Sequence, residues 1–104
     1  MPYCTVLSTV PSKAEGVKLL RLLLKKKLVA CGNLVGGVES HFWWKGKIDS
    51  ASETLLLLKT ESSRAAKVLK AIKESHPYEV PEILVLPVLK GSPSYLKWIS
   101  DSLK

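Results

Sequence analysis

Thr54-Leu55-Leu56-Leu57-Leu58-Lys59-Thr60 sets four leucines in a row between β-favouring threonines. Successive strand residues point to opposite faces, so a run this apolar has two dry faces and belongs in the middle of a sheet. The flanking sequence supplies its partners. Upstream, Lys45-Gly46 reads as a turn, with Ile48 starting the return towards the leucines. Before that turn, Val38 to Trp44 reads as a strand ending in Phe42-Trp43-Trp44. It continues an apolar stretch from Val29 to Val35, with Gly36-Gly37 as a bend or bulge between them. A further strand covers Tyr3 to Thr9, bounded by Pro11, and a last one covers Glu82 to Val88. Pro87 has no amide hydrogen, which puts that last strand at an edge or brings it near its end.

Two helical patterns alternate with these strands. Ser12-Lys13-Ala14-Glu15 has the form of a capping box, and Val17, Leu20, Leu23, Leu24 and Leu28 follow at helical spacing. Lys25, Lys26 and Lys27 suit the negative end of that helix. Ser62 or Ser63 is placed to cap a second helix with the stripe Ala65, Val68, Leu69 and Ile72, which Pro77 stops. Gly91-Ser92-Pro93 opens a short C-terminal helix whose apolar side is Tyr95, Leu96, Trp98, Ile99 and Leu103.

The order strand-helix-strand-strand-helix-strand is the split β-α-β pattern, an α+β fold. Right-handed crossovers put both main helices on one face of a four-stranded antiparallel sheet, in strand order 4-1-3-2. The 104 residues make one domain, residues 1–104, with no repeat or linker. The hairpin from about Val29 to Thr60 is longer than such a sheet needs, and its tip carries Phe42, Trp43 and Trp44. Exposed aromatic clusters mark contact surfaces, so this tip is expected at an interface between subunits.

Composition is that of an ordinary globular domain, with a formal net charge of +7. That excess invites a nucleic-acid reading. The plainer reading is a solvated, lysine-rich helix surface. An RNA-recognition module shares the order of elements, but it needs an aromatic-rich strand where this chain has its leucines, so nucleic acid is not the expected partner. No apolar run approaches the roughly 20 residues of a membrane helix, and no secretory signal is visible, which points to the cytoplasm with Cys4 and Cys31 reduced. The third strand lies between the strands of these two cysteines, roughly 9–10 Å apart, beyond the about 7 Å reach of a disulfide. No nucleophile-elbow or phosphate-loop motif occurs, and a ligand-binding oligomer is expected rather than an enzyme.

Two residues invite metal chemistry. His76 sits at the end of the second helix, where a lone histidine is most often a helix-end cation or a hydrogen-bonded structural residue. Cys31 opens the second strand, where a thiol is usually a small buried hydrophobe. A thiolate and an imidazole together would suit copper or zinc, although nothing in the sequence brings them to metal-ligand spacing.

Several segments, in order over nearly the whole chain, resemble the CutA (CutA1) divalent-cation tolerance proteins. They are Leu28-Val29-Ala30-Cys31-Gly32-Asn33-Leu34, Trp44-Lys45-Gly46-Lys47-Ile48, Glu53 to Thr60, His76-Pro77-Tyr78-Glu79-Val80-Pro81-Glu82-Ile83 and Tyr95-Leu96-Lys97-Trp98-Ile99. The resemblance implies a ferredoxin-like subunit in a tight homotrimer similar to the PII signalling proteins. It also implies a cytoplasmic role in tolerance of copper or other divalent metal ions. The metal ligands it implies fall on Cys31 and His76; a further cysteine found in some relatives corresponds to Ser8 here. No cofactor is required, beyond the copper or other divalent cation that would be bound. The likeness to PII proteins gives the alternative reading: a signalling or scaffold trimer with a small metabolite or a protein in the clefts between subunits. Trp44, Lys59, Thr60, Tyr78 and Glu82 would meet that ligand.

Overall fold

The computed structural model describes all residues from Met1 to Lys104. The elements are β1 (Tyr3–Val10), α1 (Lys13–Lys25), β2 (Cys31–Trp44), β3 (Lys47–Glu61), α2 (Ala65–Ser75), β4 (Ile83–Pro87) and α3 (Pro93–Ser102). They form one four-stranded antiparallel sheet in the order β2-β3-β1-β4, the arrangement the sequence predicts. The leucine run is central, with Leu56 and Leu58 opposite Ser8 and Val6 on one side and opposite Leu34 and Gly32 on the other.

Strand alternation sorts the side chains into two faces. Val6, Val10, Leu56 and Leu58 are fully or almost fully buried against Leu19, Leu20 and Leu23 of α1 and Val68 and Ile72 of α2. The other face carries Leu7, Leu55 and Leu57, with Leu84 and Leu86 of β4 opposite Leu7 and Thr5, and no main helix covers it. Leu84 and Leu86 are exposed there.

Local chemistry shapes the ends of elements. Ser12 caps α1, its Oγ accepting from the Glu15 amide at 3.2 Å. Lys45 and Gly46 both have positive φ, 50° and 78°, as a two-residue type I′ hairpin turn requires. The bulge falls between Val35 and Val38, with Gly37 at φ 68°. Beyond it the hairpin projects from the domain, which reaches 44 Å in its longest dimension.

Three local expectations are corrected. The buried face of α1 is Gly16, Leu19, Leu20 and Leu23, while Val17 and Leu24 lie at its exposed margin. Gly16 faces the sheet within this buried stripe: a Cβ there would come within 2.8 Å of Leu34 Cδ2, so the end of that side chain would have to shift. Neither Ser62 nor Ser63 caps α2. Residues Ser62–Arg64 form a 3-10 turn, Arg64 occupies the cap position without a side-chain bond to the helix amides, and Ser62 Oγ donates to the Met1 carbonyl at 2.6 Å. Of the expected apolar side of α3, only Ile99 and Leu103 are buried.

A polar network holds α3 across one end of the sheet. Tyr3 and Ser100 hydroxyls lie 2.6 Å apart, and Ser100 Oγ donates to Glu61 at 2.9 Å. Arg64 donates to the carbonyls of Lys27 and Leu103, each at 3.0 Å, and pairs with Glu61 at 3.3 Å. Truncating the centre of the core, Leu56→Ala, is expected to cost about 3–4 kcal/mol through lost burial and an unfilled cavity. Urea unfolding followed by circular dichroism checks this; a loss below about 1 kcal/mol would mean that β3 is not the packing centre.

Candidate functional site

A cleft of ≈ 920 Å³ lies between the hairpin and the loop that follows α2. Thr9 and Glu53 contribute from the sheet, Phe42, Trp44 and Asp49 from the hairpin, and Tyr78, Glu79 and Glu82 from the loop. Local sequence explains how the loop comes to face the hairpin. Pro77 ends α2 and Pro81 keeps the chain extended until β4 begins at Ile83.

His76 fastens this loop to the sheet. Its Nε2 lies 2.7 Å from the Thr9 carbonyl, and its Nδ1 accepts from the Tyr78 amide at 3.0 Å. A carbonyl can only accept and an amide N–H can only donate, so the ring carries its proton on Nε2 and both nitrogens are occupied. His76 is buried, with its ring 4.8 Å from that of Tyr78. Tyr78 in turn donates its hydroxyl to Glu53 Oε2 at 2.8 Å. Glu53 is a carboxylate only 8% exposed, so this bond compensates part of its desolvation. Burial, the bond to Glu53 and that carboxylate's charge together push the Tyr78 hydroxyl up to about 12.

Four of the chain's nine acidic residues, Asp49, Glu53, Glu79 and Glu82, line this one cleft, and no lysine or arginine does. His41, whose Nε2 lies 2.6 Å from Glu39 on the hairpin, also faces it. The cleft therefore favours cations within a chain that is basic as a whole. No three histidine, cysteine, aspartate or glutamate side chains come together closely enough in one chain to hold a metal ion.

The residues singled out in the sequence are divided by the fold. Trp44, Tyr78 and Glu82 meet in the cleft, whereas Lys59 and Thr60 lie at the other end of β3. Thr60 is fully buried, and its hydroxyl donates to the Leu28 carbonyl at 2.6 Å. Lys59 donates to the Asn33 side-chain carbonyl. Cys31 stands opposite Lys59, with its Sγ 3.3 Å from the Tyr95 hydroxyl. That bond first, then burial, raises the Tyr95 pKa, and the Tyr95 ring stacks on Trp98 at 5.6 Å. Cys31 and His76 are not neighbours. His76 holds Thr9, which pairs with Leu55, while Cys31 pairs with Lys59. These positions on β3 are about 13 Å apart at the rise of a strand. Cys4 and Cys31 are both free, and burial raises the Cys4 thiol. At the hairpin tip Trp43 is 72% exposed, while Phe42 and Trp44 are partly covered along the cleft.

The sequence profile of the CutA1 divalent ion tolerance proteins matches residues 4–102. The chain belongs to this family. It is 40% identical over 99 residues to the divalent-cation tolerance protein CutA of Escherichia coli, covering 95% of this chain and 88% of that one. It is 39% identical to the chloroplastic CutA 1 of Oryza sativa over 98% of its own length, but spans only 58% of that relative. Among solved structures, it matches the periplasmic divalent cation tolerance protein CutA of Archaeoglobus fulgidus with a TM-score of 0.95 and 35% identity, covering 98% of this chain and 99% of that one. It matches CutA1 of Oryza sativa with a TM-score of 0.94 and 39% identity, covering 98% and 94%. These matches extend the CutA1 subunit fold over nearly all of this chain.

Sequence reading missed Glu53, Asp49 and His41 as cleft residues. The available signal was weak: Glu53 is an acid entering a strand that is otherwise buried, and Tyr78, its partner, lies 25 residues away.

The raised Tyr78 pKa has a definite sign. Its contribution to stability is complete below the ordinary value of 10.0 and is lost as pH rises through about 12, because only the unfolded chain ionises readily in that window. Wild-type protein should therefore lose stability between these values, and Tyr78→Phe should lose less of it. Urea unfolding across this range tests the point; identical alkaline profiles would remove Tyr78 as the cause.

Proposed function

We propose that this CutA1 family member is a homotrimeric binding protein, rather than an enzyme, that takes up divalent cations, copper among them, through its acid-lined cleft. The observation that carries the reading is the gathering of Asp49, Glu53, Glu79 and Glu82 around one cleft without a lysine or arginine. Carboxylates with the nearby His41 imidazole are ligands for divalent ions as a class, and Cu²⁺ binds such oxygen and nitrogen donors most strongly in the first-row series. Since no three such groups meet in one chain, the cleft would gather the ion and a neighbouring subunit would complete its shell. Assembly is supported by the uncovered leucines of the sheet and by the hairpin tip with Phe42, Trp43 and Trp44. The family resemblance supports a trimer as that assembly. Two free thiols suit a cytoplasmic setting.

Cys31 and His76 are the ligands the resemblance implies. A site using both would draw them from different subunits, and His76 would give up its bond to the Tyr78 amide or to Thr9. Native mass spectrometry with and without added Cu²⁺ separates these cases. A trimer that takes up copper, with uptake reduced in Glu53→Gln/Glu82→Gln and kept in Cys31→Ala, is the expected result. Loss in Cys31→Ala and His76→Ala with retention in the glutamine variant would move the site to that pair, and a bare trimer would overturn metal binding.

A second reading rests on the walls of the same cleft. Phe42, Trp44 and Val80 give it apolar sides, and its volume is that of a small-molecule site. A PII-like trimer would then bind a small metabolite there. A metabolite that raises the melting temperature in metal-free buffer, with no effect on Trp44→Ala, supports this reading.

A further inference from the structure

The net charge is not spread over the molecule. The segments 13–27 and 65–75, which make up α1 with its C-terminal turn and α2, carry nine basic and two acidic residues. That is +7, the whole net charge of the chain; the remaining residues hold seven of each sign. All nine cations are exposed, and the chain's ion pairs lie elsewhere, on the hairpin, at Arg64 and along α3. Lys18, Arg21 and Lys25, with Glu15 as the one acid among them, line a trough of ≈ 580 Å³ between α1 and the end of α2, where Ser75 also contributes. Lys67, Lys70 and Lys73 follow along α2.

We propose that this helical layer is a docking face for the phosphate backbone of duplex nucleic acid, bound without regard to sequence. Lys18, Arg21 and Lys25 follow one another every ~4.5–6 Å along α1, and Lys67, Lys70 and Lys73 every ~4.5 Å along α2, so several can meet one phosphate backbone. No carboxylate within ion-pair distance competes for them. Backbone binding works by counterion release and needs no aromatic platform, so the leucines of β3 are no obstacle. A lipid surface fits less well. Membrane-bound helices insert an apolar face, and the apolar face of α1 is spent on the core, leaving only the margins of Val17 and Leu24 outside. The layer also stays accessible on assembly, because it lies on the opposite side of the sheet from the uncovered leucines.

The test is fluorescence anisotropy of a short labelled DNA duplex titrated with the full-length protein over a range of salt. Binding is expected at low salt, with log K falling against log salt at a slope of about −3.5 to −5.5, the release expected for roughly four to six phosphates. Lys18→Glu/Arg21→Glu should weaken it by about tenfold or more at fixed salt, and Lys47→Glu/Lys90→Glu, an equal charge change outside the layer, by less than about twofold. Circular dichroism verifies that both variants are folded. Equal losses in the two variants would mean attraction by net charge alone and would overturn the proposal. So would no binding at low salt, full binding by Lys18→Glu/Arg21→Glu, or binding to phosphatidylserine vesicles but not to the duplex.

Discussion

Everything in this fold depends on burying one strand on both of its faces. Leu56 and Leu58 are sealed beneath α1 and α2, and the order β2-β3-β1-β4 places neighbours on both edges of β3. The chain has no second helical layer for Leu55 and Leu57 on the reverse face. α3 reaches only the end of the sheet, where Arg64, Glu61 and Tyr3 hold it by polar contacts. A domain of this size has little apolar burial to spare, so a leucine-bearing face left open is a strong drive towards association.

The same strand separates two chemical environments. At its Glu53 end, Tyr78 and His76 tie the loop after α2 to the sheet and give the cleft a buried carboxylate with acids around it. At its Lys59 end, Cys31 bonds to Tyr95 of α3, and Lys59 donates to the Asn33 side-chain carbonyl. A strand rises about 3.3 Å per residue, so groups anchored to its two ends cannot share an ion within one subunit. That rigidity makes His76 a structural fastener in the single subunit, with both ring nitrogens engaged.

Much of the fold was legible because it rests on local signals. The leucine run, the alternation of β1, the Ser12 cap and the Lys45-Gly46 turn each express a short-range preference that the tertiary structure agrees with. The failures came where packing outweighed local pattern. α1 buries Gly16, Leu19, Leu20 and Leu23 and leaves Val17 and Leu24 at its margin, and Ser62 turned to the Met1 carbonyl instead of capping α2. Of the five residues that the likeness to PII proteins put in a cleft between subunits, Trp44, Tyr78 and Glu82 line this cleft and Lys59 and Thr60 do not; Glu53 was not among them, because its partner is remote in sequence.

By itself, the sequence determined the kind and order of the elements, the central place of the leucine strand and membership of the CutA1 family, since periodicity and motif are properties of neighbouring residues. Only the tertiary structure decided which charges stand together. It gathered four acids from the hairpin, the sheet and a proline-rich loop into one cleft, and it laid the two lysine-rich helices side by side on one face of the sheet. It also parted Cys31 from His76. Coulomb attraction and metal ligation act through space over a few ångströms, and that distance is set by strand register and helix packing, which no stretch of sequence records.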